Sequence, residues 1–245
     1  MKQSRFTGLL FYVMVFFLVS CAGGGNENKT GTDSTTVDST KSAAAPKINT
    51  IITAPQNMMT AKHKVLNYAK WKTSYDEHDS LRLVSGIHSY VIGRGLQDSN
   101  MILVAVKVDD MTKAKAFAKD PGLKKAMQKG GVTGTPSFAF VTMTFQDTAT
   151  VSSDLRSRTT FTVKDWGAWQ KAFEEGKQER MDNGITVRAF GHDVDDDKKV
   201  VLVTALLDTV KAFAYYKSDM LKKRRAASGV IGEPERFLYR VVQRY

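Results

Sequence analysis

Two short stretches gather the side chains best suited to holding a ligand. Successive residues of a strand point to opposite faces. His88, Tyr90, Ile92 and Arg94 therefore share one face of the first stretch, and Thr186, Arg188, Phe190 and His192 share one face of the second. Two histidines, two arginines and a tyrosine on such a surface suit an anionic or aromatic ligand. The candidate pocket is thus His88, Tyr90, Arg94, Arg188 and His192. The plainer alternative is that these groups pair with one another or meet water at a rim, since buried polar groups normally find partners.

Other chemistries are excluded or weak. Cys21 is the single cysteine, so no internal disulfide and no cysteine zinc site can form. His63, His78, His88 and His192 lack any metal-binding spacing, and no metal is expected. Asp193, Asp195 and Asp197 mimic the start of a calcium loop, but the glycine and glutamate that complete one are missing. No phosphate-binding glycine loop, nucleophile elbow or Cys–His pair is present. Lys222 to Arg225 form a cationic run at a predicted helix end, where positive charge complements the helix dipole. The chain carries a formal charge of +11 over 245 residues, with cations spread along helices rather than collected in one arm.

The first 20 residues combine Lys2 and Arg5 with an apolar run from Leu9 to Val19. That run falls well short of the roughly 20 residues needed to span a bilayer, and its layout is that of a secretory signal. It ends Leu18-Val19-Ser20-Cys21, which resembles a bacterial lipobox. The resemblance implies cleavage before Cys21, acylation of its thiol and new amino group, and a lipid bilayer as partner. Ala22 in place of aspartate favours the outer membrane of a bacterial cell envelope. Residues 21–56 are rich in Gly, Ser, Thr and Asn and read as a flexible tether. Secretion removes nucleic acid as a partner.

Beyond the tether the chain repeats itself. At an offset of 98, Val65 meets Val163, Trp71 meets Trp169, Arg82 meets Arg180, Gly86 meets Gly184 and Gly93 meets Gly191. "KKAMQKGGVTGTP" at 124–136 is answered by "KKRRAASGVIGEP" at 222–234, while "KAFA" aligns only after a two-residue slip. Two repeats follow, 57–150 and 151–245. Each reads strand–helix–strand–strand–helix–strand, the split βαβ ferredoxin-like unit. Asn67, Asp165, Asp110 and Asp208 suit N-caps. Tyr68, Trp71 and Tyr75, with Trp166, Trp169 and Phe173, form aromatic stripes at helical spacing.

One such unit covers one sheet face with helices and leaves the other bare. Pressing two bare faces together buries both. The stretches "YAKWKTSYDEH" and "KAFAKDPGLKKAMQKGGVTGTP", with their second copies, make residues 59–245 similar to the dimeric α+β barrel superfamily. That superfamily includes antibiotic-biosynthesis-type monooxygenases, haem-degrading enzymes and stress-responsive barrel proteins. The expected fold class is α+β, an intramolecular pseudo-dimeric barrel; the alternative is two units that never close. The haem degraders' Asn, Trp and His cannot be laid onto this sequence: Asn67, Trp71 and His88 have the right types, but Trp71 belongs to the core stripe.

Three functions follow. The first is a non-catalytic envelope lipoprotein whose barrel binds a small ligand or a protein partner, with no cofactor expected. The second is a monooxygenase of the superfamily, cofactor-independent or using haem. The third is a basic module contacting anionic envelope polymers.

Overall fold

The computed structural model describes residues 49–245; the signal segment, Cys21 and most of the tether lie outside the described residues. The short β1 (Ile51–Ile52) precedes the first repeat, which runs β2 (Gln56–Val65), α1 (Tyr68–Glu77), α2 (Asp79–Val84), β3 (Ile87–Gly95), β4 (Met101–Val108), α3 (Met111–Ala118), α4 (Pro121–Lys129) and β5 (Val132–Asp147). The second repeat runs β6 (Leu155–Val163), α5 (Trp166–Glu175), α6 (Lys177–Asp182), β7 (Ile185–Asp193), β8 (Lys199–Leu206), α7 (Thr209–Tyr216), α8 (Asp219–Ala227) and β9 (Val230–Arg244). The offset of 98 holds helix for helix, so the two-residue slip is absent. Ala114 and Ala212 are the equivalent buried residues of α3 and α7, and the shared "KAFA" string occupies different turns. Among the described residues no helix is long and apolar enough to cross a membrane.

The helix starts follow their local chemistry. Asn67, Asp165, Asp110 and Asp208 each accept a backbone N–H in the first turn, satisfying donors that would otherwise be orphaned. Gly86 and Gly184 adopt φ values of 67° and 66°, the left-handed turn that ends α2 and α6. The first helix of each repeat is broken, at His78 and at Gly176, rather than continuous. An arginine bridges each break. Arg82 Nη1 donates to Tyr75 O at 2.6 Å and Arg180 Nη1 to Phe173 O at 2.6 Å. Each guanidinium lies over the ring of the same residue, 3.6 Å and 3.7 Å from its centroid.

The strands form one sheet in the order β1-β5-β2-β4-β3-β9-β6-β8-β7, and β5 also pairs with β7. Each repeat contributes four strands in ferredoxin-like order, and two antiparallel seams, β3 with β9 and β5 with β7, close the ring. The seams are equivalent: Gly93 pairs with Val241 in one and Gly191 with Met143 in the other. Both glycines are needed for close approach rather than for a turn. A Cβ at Gly93 would sit 2.1 Å from Tyr239 Cδ2, and one at Gly191 would sit 2.0 Å from Thr142 O. Helices pack outside the ring, with core clusters around Trp71 and Trp169, while Met58, Val141, Met143 and Val201 fill part of its inside.

Candidate functional site

The five residues expected in one pocket are divided by two β-bulges. The register of β3 on β4 shifts between Ser89 and Val91, and that of β7 on β8 between Val187 and Ala189. The extra residue in each strand is Tyr90 in one and Arg188 in the other, and it inverts the alternation beyond it. Tyr90 and Arg188 line the chamber inside the ring, where Arg188 donates to Asp147 Oδ2 at 2.7 Å and to Ala149 O. Arg94 and His192, past the bulges, turn to the helix side. Arg94 lies 4.3 Å from the centroid of Tyr68, and His192 packs edge-on against Trp166 at 5.0 Å. His88 precedes its bulge but sits exposed at the rim, with Nε2 2.9 Å from Asp109 Oδ2. The strict alternation expected from sequence is therefore corrected, and only Tyr90 and Arg188 of the five meet at the chamber.

A second hollow lies between the sheet and the helices of the first repeat, with a volume of about 350 Å³. Its floor comes from β2, whose helix-facing positions are Met59, Ala61, His63 and Val65, and its roof includes Trp71, Phe117 and Ala126. His63 is 4% exposed, and neither ring nitrogen has a hydrogen-bond partner. Burial pushes its pKa down to about 4, because an apolar wall disfavours the charged ring. The imidazole is therefore neutral at pH 7, able to donate from one nitrogen and accept at the other. Tyr75 stacks on Trp71 at 5.2 Å, and Ser74, His78, Arg82 and Asp120 also line the hollow, so the chemistry on offer is an aromatic wall beside an unpartnered imidazole, with further polar groups around it.

The second repeat fills the same place. Its remaining hollow is about 80 Å³. Phe161 occupies the position of His63, and Tyr215, Glu179 and Arg224 stand where the first repeat has Phe117, Leu81 and Ala126. Tyr215 donates to Glu179 Oε1 at 2.5 Å, and Arg224 grips Glu179 Oε2 at 2.6 and 2.9 Å. The Arg224 guanidinium holds the Glu179 carboxyl below the usual carboxylate range. Arg236 lies over Tyr216 at 3.5 Å. Of the cationic run at 222–225, Arg224 and Arg225 turn into this filled hollow, while Lys222 and Lys223 stay exposed. His63 is inconspicuous in sequence because it breaks an apolar stripe only once; the 98-residue alignment carries the signal, as a histidine opposite a phenylalanine. Among the described residues no three potential metal ligands cluster. The Asp195–Asp197 segment is a hairpin turn, with Asp195 held by Lys115 at 2.7 Å.

No family model matches the sequence, and no curated protein matches it. Solved structures do. A proposed monooxygenase from Fusobacterium nucleatum superposes with a TM-score of 0.52 at 12% identity, over 77% of this chain and 93% of the other. An anthrone oxidase-like protein gives 0.53 at 16% identity, over 79% and 94%. The chain has the dimeric α+β barrel fold. At these identities the likeness is one of architecture, and this barrel is closed by two halves of a single polypeptide.

Proposed function

We propose that this protein is a lipid-anchored, ligand-binding barrel of the bacterial envelope whose first repeat holds a small, mainly apolar molecule against His63. The supporting observation is the unpartnered imidazole on the wall of a cavity that the twin repeat fills. A buried polar group without a partner carries a desolvation cost of about 1–3 kcal/mol, and a ligand bearing one hydroxyl or amide offsets it. The cavity falls within the roughly 300–1,000 Å³ typical of small-molecule sites. Acylated Cys21 would moor the barrel at the membrane, where apolar ligands concentrate.

Haem fits this residue set poorly. An iron-ligating histidine almost always donates its second ring nitrogen to a carboxylate or carbonyl, whereas neither nitrogen of His63 is held. Monooxygenase activity, as proposed for the Fusobacterium neighbour, is a second reading, here without a cofactor. It is favoured by the neutral His63, whose unprotonated nitrogen can accept a hydrogen bond from a phenolic hydroxyl. In that case the full chain would consume oxygen with a phenol such as 1-naphthol.

The binding test uses 1-naphthol and naphthalene, followed by quenching of tryptophan fluorescence. The hydroxylated ring should bind up to about tenfold more tightly, as one hydrogen bond is worth up to about 1.5 kcal/mol. His63→Phe, copying Phe161, should remove the preference and bring 1-naphthol down to the affinity of naphthalene. Unchanged naphthol binding in that variant would refute the site. Mass spectrometry of native protein should find acyl chains on Cys21, and a mature form without them would refute the anchor.

A further inference from the structure

The chamber between the repeats has two unlike walls. All four of its arginines, Arg156, Arg158, Arg188 and Arg244, come from repeat two, together with Val203 and Val241, whereas repeat one supplies Met58, Leu103 and Met143 and the carboxylate of Asp147. Arg156 and Arg158 occupy the inward positions of β6, where the 98-residue counterparts on β2 are Met58 and Thr60. Arg188 is the bulge residue of β7, and Arg244 ends β9.

These cations outnumber their local anions. Asp147 accepts from Arg188. Arg156 donates only to the carbonyls of Ser153 and Leu155. Arg158 Nε is buried with no partner at all. The nearby carboxylates are engaged elsewhere, Asp154 by Arg240 at 2.6 Å and Glu235 by Lys62 at 3.0 Å. Burial lowers the Arg156 pKa, and the repelling charges of Arg244 and Arg188 lower it further. Buried charges without counter-charges are costly, and guanidinium groups are matched in shape to carboxylates.

We infer that this chamber is a second binding site, distinct from the His63 cavity, for a small organic anion: a carboxylate held by Arg156, Arg158 and Arg188, with its apolar body against Met58, Leu103 and Met143. Its volume of about 260 Å³ admits a single ring or a short chain. Thr148, Arg156 and Arg244 also border the hollow beneath the linker that joins the repeats, which gives the ligand its route in.

Benzoate is the probe, with benzamide as its uncharged isostere and sodium chloride at matched ionic strength as control. Calorimetry on the full-length chain should show benzoate binding at least tenfold more tightly than benzamide. Benzoate, and not chloride, should also raise the melting temperature. Arg158→Met should weaken benzoate binding at least tenfold while leaving 1-naphthol binding intact, and His63→Phe should weaken 1-naphthol binding while leaving benzoate binding intact. Equal affinity for benzoate and benzamide, or an equal thermal shift with chloride, overturns the inference, and both comparisons need only the unaltered protein. Full benzoate affinity in Arg158→Met and in Arg156→Gln overturns it as well, and so does loss of benzoate binding in His63→Phe.

Discussion

His63 and Phe161 stand at equivalent points of the two repeats, and each ring centroid lies 5.5 Å from the tryptophan above it, Trp71 and Trp169 respectively, at interplanar angles of 53° and 57°. The geometry is the same, and only the chemistry of the ring differs. The first repeat thus carries an imidazole in a setting that its twin shows to be shaped for a phenyl group.

That substitution gives the protein an acid-sensitive core. The folded-state pKa of His63 is depressed to about 4 from an ordinary 6.5. The unfolded chain therefore takes up a proton first as pH falls below about 6.5, and stability is lost down to about pH 4. Below that point the full loss is about 3 kcal/mol, the free-energy equivalent of the gap between the two values. His63→Phe should remove this component, so urea melts at pH 7 and pH 4 should differ less for the variant than for the parent. An equal acid dependence in both would exclude His63 as its source.

The seams make a second prediction. Alanine at position 191 drives a methyl group into the Thr142 carbonyl, which is fixed in the β5–β7 ladder, whereas at position 93 the obstacle is the edge of the Tyr239 ring. Overpacking typically costs about 1–3 kcal/mol, and more where backbone must move. Gly191→Ala should therefore be the more destabilising of the two, by about 1 kcal/mol or more. The ranking is read from urea midpoints at constant m-value, and the reverse order would show that the first seam is the more rigid.

Glu179 ties α6 to α7 and α8 through Tyr215 and Arg224. Glu179→Gln leaves Arg224 in a half-buried setting without its counter-charge, and should cost about 2 kcal/mol at pH 7. Because Arg224 depresses the Glu179 pKa, the stabilisation is present above the ordinary carboxylate pKa and vanishes as pH falls through the lowered value. Parent and variant melting temperatures should converge in acid; a constant gap would mean that lost packing, not lost charge, explains the change.

Much of the architecture could be read directly from the chain. The duplicated caps Asn67 and Asp165, the glycines at 86 and 184, and the aromatic stripes each state a local rule, and the structure obeys them. The bulges at Tyr90 and Arg188 could not be read from a period of two, because neither residue is a glycine. The one hint was the adjacent apolar pairs, Val91-Ile92 and Ala189-Phe190, which place two apolar side chains in succession where alternation allows one. The cavity beside His63 was hidden for a different reason. Phe117 and Ala126, both half-buried, and the exposed Leu81 are unremarkable taken singly, and only their bulkier or charged equivalents in the other repeat reveal the space left beside His63.

Closure of the ring by one polypeptide has a consequence for what its middle can contain. When two identical subunits meet across a twofold axis, every side chain near that axis confronts its own copy, so a guanidinium there would be repelled by another. Covalent linkage releases the halves from this self-facing constraint. It allows Arg156 and Arg158 in one half where the other carries Met58 and Thr60, so that the interior is cationic on one bank and uncharged at the matching places on the other.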